Sequence, residues 1–311
     1  MSVVVQNVTK LYGEQKALDN VSFEIKTGEI VGFLGPNGAG KSTMMKIITG
    51  FIPPSSGRVL VNGFETADGS TEVRKRIGYL PENNPLYPEM YVREYLGFTA
   101  SLFNTAIPIK EQIDRIVEIT GLVPEQKKKI GSLSKGFRQR VGLAQALIHN
   151  PDVLILDEAT TGLDPNQIVE IRNLIRDSGK EKTVMLSTHI MQEVEAICSR
   201  IIIIDKGIIV ADEPKNEIYS KIRQAKQIIT VGFDRDPDEN LLSSIPLVDS
   251  VKRTEGNIWL IESSADQDIR PIIFSFAVSN NLTVLNLQKK ENNLEEIFKH
   301  LTTESNGLNT K

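Results

Sequence analysis

The sequence predicts an α/β domain built on a parallel sheet, followed by a smaller α+β domain. Over the first two-thirds of the 311 residues, short apolar runs alternate with helical patterns, which is typical of a sheet covered by helices. The last third has the element order βαββαβ, which is the ferredoxin-like pattern. With 40% hydrophobic and 24% charged residues, the chain has the composition of a globular protein.

Charge and composition exclude several classes of protein. Lysine and arginine number 36 against 40 aspartates and glutamates, for a net charge of −4, so we expect neither a broad nucleic-acid-binding face nor a nucleic-acid partner. The single cysteine, Cys198, excludes an intramolecular disulfide and a cysteine-built zinc site. We find neither a signal peptide nor a run of about 18 apolar residues. We therefore expect a cytoplasmic chain that reaches a membrane only through a partner.

The first elements lead into a glycine-rich turn. Apolar and polar residues alternate over residues 3–8 and 21–25, which predicts two antiparallel strands. Residues 30–34 form a continuous apolar run, typical of a buried strand, and a helix is predicted over 44–49. Helical apolar spacing then predicts a helical insertion over residues 90–122.

The rest of this domain alternates helices and strands. We predict helices over residues 134–149, 166–177 and 191–198, strands over 153–156 and 184–187, and a closing hairpin over 201–204 and 208–210. His149 comes late in its helix, where an imidazolium would complement the helix dipole, so we interpret it as structural. Cys198 follows helical apolar spacing and is interpreted as a buried residue.

The C-terminal third carries no ligand signature. We predict strands over residues 227–233, 248–253, 257–262 and 282–287, and helices over 239–244 and 269–279. The predicted boundaries are 1–213 for the first domain, 214–226 for a linker, 227–301 for the second domain, which ends in a helix over 293–301, and 302–311 for a flexible tail. On fold analogy alone, the second domain is a regulatory or dimer-stabilising module.

Residues 35–43 carry the strongest chemical signal. They fit G-x-x-x-x-G-K-[ST] between a predicted buried strand and a helix, which is the context of a phosphate-binding loop. Glycines let backbone N–H groups fold around phosphates, and the helix N-terminus adds partial positive charge. We predict that Lys41 meets phosphate oxygens and that Ser42 binds Mg²⁺; a glycine-rich turn capped by Ser42 and Thr43 is the structural alternative. The predicted nucleotide-binding residues are Gly35, Pro36, Asn37, Gly38, Ala39, Gly40, Lys41, Ser42 and Thr43.

Two carboxylates, Asp157 and Glu158, follow the apolar run 153–156. Asp157 can hold Mg²⁺, often through water, and Glu158 can orient the water that attacks the γ-phosphate. A polar strand end is common by itself. Downstream of a phosphate loop, the pair predicts a hydrolytic site.

Up to about residue 213, the sequence resembles the ATP-binding subunits of ABC transporters. Besides the phosphate loop and Asp157, residues 133–140 (LSKGFRQR) stand where the family has its LSGGQ signature, and residues 162–165 (GLDP) match its D-loop. Residues 187–189 (STH) match the switch histidine, and Tyr12 stands where the family stacks a ring on adenine. The resemblance implies a P-loop ABC-type fold with a RecA-like core, an antiparallel β subdomain and a helical subdomain at about 88–150.

The resemblance also implies an ATPase that uses ATP and Mg²⁺ and works as a dimer of two copies. In this family the signature of one copy closes on the nucleotide held by the other, so Ser134, Gly136 and Asp164 would contact the nucleotide of the second copy. His189 would bind the γ-phosphate and act in catalysis with Lys41 and Glu158. A separate multi-span permease is implied as well, which would keep the subunit at the inner face of the cell membrane.

Two departures from the family pattern fall on residues of the site. Glu82 replaces the usual glutamine; a carboxylate there could bind Mg²⁺ beside the nucleotide and would repel phosphate. In the signature, Lys135 replaces glycine and Phe137 replaces glutamine. Lys135 would lie either near the second copy's triphosphate or in solvent.

Both departures resemble the ABC-2-type exporters. Within that subfamily, residues 12–23 (YGEQKALDNVSF), 77–87 (IGYLPENNPLY), 92–96 (VREYL) and 294–301 (LEEIFKHL) resemble the ATP-binding subunit of the gliding-motility-associated transporters. One alternative is a soluble ABC ATPase that acts in translation or DNA repair. Another is a non-catalytic regulator that binds ATP as an assembly signal.

Overall fold

A computed structural model describes residues 2–66, 71–103, 105–188, 190–218, 227–265 and 267–290. The chain divides into two compact units, the first running to Lys215 and the second beginning at Asn216. His189, most of the predicted linker, the predicted helix over 293–301 and the predicted tail lie outside the described residues.

The first unit contains two sheets and a group of helices. Its strands are β1 (Val3–Tyr12), β2 (Gln15–Ile25), β3 (Ile30–Leu34), β4 (Ser56–Val61), β5 (Phe64–Glu65), β6 (Ile77–Leu80), β7 (Val153–Asp157), β8 (Thr183–Thr188), β9 (Arg200–Asp205) and β10 (Ile208–Pro214). Its helices are α1 (Lys41–Ile48), α2 (Thr71–Arg76), α3 (Val92–Ser101), α4 (Ile109–Ile119), α5 (Lys135–Leu147), α6 (Pro165–Ser178) and α7 (Met191–Ile197).

The smaller sheet of this unit is antiparallel, in the order β2-β1-β4-β5. The predicted antiparallel pairing of the first two strands is confirmed, and both strands run further than predicted, to Tyr12 and from Gln15. Strands β4 and β5 are not among the sequence predictions. The turn between them is Asn62-Gly63, with φ of 48° and 83°, which is the conformation that favours Asn-Gly in two-residue hairpins.

The larger sheet positions the candidate site. Its order is β10-β9-β3-β8-β7-β6, and all its pairs are parallel except β9 with β10. Strand β7 is buried at every residue, and β3 at all but its first, as a sheet covered on both faces requires. The parallel α/β prediction is therefore confirmed, and the carboxyl ends of β3, β6, β7 and β8 lie at the same edge.

Helices α3 and α4 lie within the helical insertion predicted over residues 90–122, and α5 lies where a separate helix was predicted over 134–149. Helix α4 buries Ile113, Ile116 and Val117 on one face, which is the spacing of an amphipathic helix. Helix α5 begins after Ser134, whose hydroxyl accepts a hydrogen bond from the N–H of Phe137 at 3.4 Å. That hydroxyl satisfies one of the N–H groups that a helix N-terminus leaves free.

The second unit has the predicted βαββαβ order. Its elements are β11 (Gln227–Phe233), α8 (Glu239–Ser243), β12 (Ser250–Arg253), β13 (Ile258–Ser263), α9 (Arg270–Ser279) and β14 (Val284–Lys290). The sheet order is β12-β13-β11-β14 with every pair antiparallel. Its core includes Val231, Phe233, Trp259 and Ile261, so the single tryptophan is a core residue of this unit.

Candidate nucleotide-binding site

Polar residues lie at the carboxyl ends of four neighbouring parallel strands. The loop 35–40 follows β3, Glu82 follows β6, Glu158 follows β7, and β8 ends at Thr188. In α/β sheets, ligands bind outside this edge, at the point where the strand order reverses. Strand β3 is at that point, because it pairs with β8 on one side and with β9 on the other.

The backbone of the loop needs its glycines. Gly38 and Gly40 have φ of 81° and 107°, a region that side chains with a Cβ rarely adopt. A Cβ on Gly40 would also lie 2.6 Å from the carbonyl oxygen of Ala17, and one on Gly35 would lie 2.5 Å from that of Ile204. The loop is therefore packed tightly against its neighbours in the conformation that only glycine permits.

Lys41 is a buried cation at the start of α1, with 6% of its surface exposed. Its Nζ donates to the carbonyl oxygens of Gly35 at 2.8 Å and Pro36 at 3.1 Å, and it lies 4.0 Å from Glu158 Oε1. Phosphate oxygens would replace these carbonyl acceptors when a nucleotide binds, and the charged hydrogen bonds that result are stronger.

The protonation of Lys41 reflects two opposing effects. Burial lowers its pKa below the usual value, because the charged form loses water. Neighbouring carboxylates oppose this shift, and in order of effect they are Glu158, Asp157 and Glu82. All three therefore lie close enough to act on the cation.

Hydrogen bonds from the next strand and the following loop fix the two carboxylates after β7. Asp157 is 1% exposed, and its Oδ1 accepts a hydrogen bond from the hydroxyl of Ser187 on β8. Glu158 Oε2 accepts from the hydroxyl of Thr161 at 2.7 Å. Neither hydroxyl donor is predicted from the sequence, although Ser187 belongs to the Ser-Thr-His motif.

Glu158 also has an unusual backbone conformation. Its φ is 54°, which costs roughly 1–2 kcal/mol for a residue that is not glycine. Its N–H donates to the carbonyl oxygen of Ser187 at 3.1 Å, so pairing with β8 continues through this residue. Strain of this kind occurs where the surrounding structure holds a functional side chain in place.

A cavity of about 560 Å³ joins the loop to these groups. Tyr12 borders it from the end of β1 and is 51% exposed, as a ring free to stack on a base would be. The cavity is lined by Tyr12, Gln15, Ala17, Asn37, Gly38, Gly40, Lys41, Ser42, Thr43, Glu82, Glu158 and Thr161. The structure thus brings together Tyr12, most of the predicted loop residues, Glu82 and Glu158.

The residues beside the loop fit Mg²⁺. A second cavity of about 880 Å³ is lined by Ser42, Tyr79, Glu82 and Asp157, among others. The described residues contain no cluster of three or more His, Cys, Asp and Glu side chains that could hold a metal by themselves. Mg²⁺ prefers oxygen ligands and is usually held by one or two carboxylates together with substrate phosphates, and this donor set matches that preference.

The predicted signature and D-loop residues line neither cavity. Ser134 caps α5, and Asp164 caps α6 by accepting from the N–H of Gln167 at 2.9 Å. A Cβ on Gly136 would lie 2.5 Å from the side chain of Gln167, so the two segments pack together within one chain. The ammonium group of Lys135 lies against Gly162 in the D-loop, while the residue as a whole is exposed.

Comparisons with known proteins agree with this geometry. Residues 18–161 match the sequence family described as ABC transporter. The chain is 35% identical over 303 residues to the bacitracin transport ATP-binding protein of Bacillus licheniformis. This alignment covers 96% of this chain and 97% of that protein. The chain is 33% identical over 303 residues, with the same coverage, to the linearmycin resistance ATP-binding protein of Bacillus subtilis.

The chain belongs to the ABC transporter ATP-binding proteins. Such proteins hydrolyse ATP, and this ABC subunit is an ATPase. A solved dimeric ATP-binding cassette in a post-hydrolysis state, bound to ADP and Pi, superposes with a TM-score of 0.63 at 30% identity. The superposition covers 68% of this chain and 98% of that structure.

Three further observations bear on the predictions for this ABC subunit. None of its described helices combines the length and apolar character that crossing a bilayer requires. His189 lies outside the described residues, so its role as switch histidine stays a prediction, as do the individual roles of Ser134, Gly136 and Asp164. Cys198 is 2% exposed, which confirms that it is buried, and burial raises the pKa of its thiol to about 12.

Proposed function

We propose that this ABC subunit hydrolyses ATP to drive a separate multi-span permease, as an exporter of the ABC-2 type. The observation that carries the hydrolytic part is the convergence of Lys41 and Glu158 on one cavity, with Asp157 beside it. The transport part is supported by two relatives that match over nearly their whole length and are named for bacitracin transport and linearmycin resistance. The departures at Glu82 and Lys135 support the ABC-2 assignment.

Each residue of the site would have one task in hydrolysis. Lys41 and the loop N–H groups would stabilise charge on the phosphates, and Ser42 and Asp157 would hold Mg²⁺. Mg²⁺ bound there would neutralise charge on the β- and γ-phosphates. Glu158 would orient the attacking water in line with the bond that breaks, and His189 would contact the γ-phosphate.

The subunit would act as a dimer. Ser134, Gly136 and Asp164 do not line the cavity of their own phosphate loop, so they would be free to contact the nucleotide of a second copy. The dimeric cassette with ADP and Pi that superposes on this chain supports such an arrangement. Lys135 would then bring positive charge near the second copy's triphosphate.

Exposed apolar side chains near Glu82 would provide the contact with the permease. Phe51 is 75% exposed and Leu102 is 66% exposed, and both line the 880 Å³ cavity that Glu82 also borders. Grouped apolar side chains on a surface are typical of interaction sites. Permease binding here would hold the subunit at the inner face of the membrane. The permease would then lie next to Glu82, which also lines the nucleotide cavity.

The remaining assignments rest on sequence patterns. We place the ATP-binding domain at residues 1–213 and the accessory domain at 227–301, with a linker over 214–226; the accessory domain would regulate or stabilise the dimer. The sequence segments that resemble the gliding-motility-associated subunit support the proposal that the exporter takes part in gliding motility. Loss of the gene should then abolish surface spreading of the source organism, and unchanged spreading would contradict that role.

The test of the transporter proposal is affinity purification of the tagged chain from detergent-solubilised native membranes, with mass spectrometry of the proteins that copurify. We expect a multi-span protein in near-equal amount. Its recovery should fall for Phe51→Ser combined with Leu102→Ser. Val278→Ser is the matched control, because Val278 is 61% exposed in the second unit. Recovery of ribosomes, nucleic acid or no partner would favour a soluble ABC ATPase instead.

A further inference from the structure

Glu193 is a buried carboxylate that the proposed reaction does not use. It lies on α7 and is 1% exposed. Its Oε1 accepts a hydrogen bond from the hydroxyl of Thr160, and its Oε2 accepts one from the hydroxyl of Thr188 at 2.9 Å. Burying a carboxylate costs free energy unless hydrogen bonds replace its contacts with water. Each oxygen of Glu193 accepts one such hydrogen bond.

The first of these threonines belongs to the loop that carries Glu158. Thr160 comes two residues after Glu158, and its carbonyl oxygen accepts from the N–H of Leu163 at 3.2 Å. The intervening turn is closed by the N–H of Thr161, which donates to the carbonyl oxygen of Glu158 at 3.2 Å. The hydroxyl of Thr161 binds the carboxylate of Glu158. Holding Thr160 therefore holds the turn that orients Glu158.

The second threonine lies next to the switch histidine in the sequence. Thr188 is the last residue of β8, directly before His189. Its hydroxyl oxygen also accepts from the N–H of Ile190 at 3.0 Å, directly after His189. One hydroxyl group therefore links the carboxylate of Glu193 both to the end of β8 and to the backbone N–H of Ile190.

We propose that Glu193 is a positioning residue for ATP hydrolysis. Its carboxylate ties the turn after β7 to the end of β8, so that the water-orienting Glu158 is held in a fixed place beside β8. This inference rests on the proposed role of Glu158. Two acceptor oxygens are needed because both threonines donate, and a carboxylate supplies them in one rigid group. A displacement of about 1 Å at a reacting group can cost a hundredfold in rate.

The test compares variants of the purified full-length chain by kcat, KM for ATP, equilibrium ATP binding and melting temperature. Glu193→Gln keeps the shape but only one acceptor, and Thr188→Val keeps the shape and removes the donor. We expect kcat to fall tenfold or more in both, with KM and ATP affinity within about twofold of the wild type. Glu195→Gln, on the same helix, is the matched control and should keep the wild-type kcat.

A structural role alone would give a different pattern. If Glu193→Gln and Thr188→Val lower the melting temperature while the folded protein keeps its kcat, the inference is wrong. Glu158→Gln separates this failure from that of the proposed site, because wild-type turnover in Glu158→Gln would contradict the site itself. In a chain that already carries Glu158→Gln, adding Glu193→Gln should lower the residual rate less than twofold. A further tenfold loss in that background would show independent action and overturn positioning through Glu158.

Discussion

Lys41 Nζ lies 4.0 Å from Glu158 Oε1, with both side chains buried at the edge of the central sheet. The cation is the predicted phosphate ligand, and the carboxylate is the predicted water-orienting group. Few water molecules can screen these two buried charges, so they attract each other strongly. A change at either residue should therefore alter the interaction of the other with a bound nucleotide. Removing one of the carboxylates near Lys41 should therefore change how the site binds or hydrolyses ATP.

Glu158→Gln should abolish most hydrolysis and leave ATP binding intact. The amide keeps the size of the side chain but cannot polarise water, so kcat should fall by about 10²–10⁴-fold. ATP affinity should be unchanged or higher, because a negative charge beside Lys41 is removed. Phosphate release and equilibrium nucleotide binding measure the two effects. Glu118→Gln, at an exposed position on α4, is the control, and near-normal turnover of Glu158→Gln would remove Glu158 from its role.

Glu82→Gln should strengthen binding of ATP in the absence of Mg²⁺. Glu82 is exposed, lines both cavities and is one of the carboxylates that act on Lys41, so it should repel a phosphate on that cation. Removing an exposed charge of this kind should tighten binding by roughly threefold. Calorimetry with EDTA present measures the change, and Glu89→Gln, whose side chain is 90% exposed, is the control. Weaker binding would mean that Glu82 supports the nucleotide rather than repelling it.

The sequence predicts the framework of this site because local patterns encode it. Strands β3 and β7 are buried apolar runs. The loop 35–40 connects β3 to Lys41, and β7 ends at Asp157, directly before Glu158. Parallel pairing then brings these strand ends together. Nothing beyond strand order is needed to bring the phosphate loop close to the carboxylates.

The hydrogen bonds that refine the site could not be predicted in this way. Ser187 with Asp157 and Thr160 with Glu193 are pairs separated by 30 and 33 residues, and no local pattern specifies them. Glu193 also lies in a short helix, where a glutamate is usually exposed rather than buried. Its function becomes visible only from its two threonine partners.

Tyr79→Phe removes a buried hydroxyl group that the sequence did not single out. Its hydroxyl is buried and has no hydrogen-bond partner among the described residues, and burial, followed by Asp157 and Glu82, raises its pKa. Removing an unpaired hydroxyl costs nothing, so the free energy of unfolding should be unchanged or higher by up to about 1 kcal/mol. Chemical denaturation without nucleotide measures it.

Tyr95→Phe is the matched comparison for this prediction. The hydroxyl of Tyr95 donates to Gln145 Oε1 at 3.0 Å, and burial is the first cause that raises its pKa to about 12. Its removal should lower the free energy of unfolding by about 1 kcal/mol. An equal loss in both variants would mean that the hydroxyl of Tyr79 is hydrogen-bonded in the folded protein.

The interpretation of His149 as a structural residue agrees with its packing, but the charged imidazolium expected there is wrong. The ring stacks on Phe103 with centroids 3.9 Å apart, and its Nε2 lies 3.1 Å from the carbonyl oxygen of Ile77. Burial lowers its pKa from 6.5 to about 4, so the folded protein holds it neutral. Helix position suggested a charge, but tertiary packing determines the protonation state.

His149→Gln should therefore flatten the loss of stability in acid. The folded pKa lies below the unfolded one, so the neutral ring contributes stability above about pH 6.5 that is lost as the pH falls towards 4. Between pH 7 and pH 5 the free energy of unfolding of the wild type should fall by about 2 kcal/mol more than that of the variant. Urea denaturation at the two pH values measures both, and glutamine keeps a donor for Ile77. Parallel pH dependence in the two proteins would mean that His149 titrates in the folded state as it does in the unfolded chain.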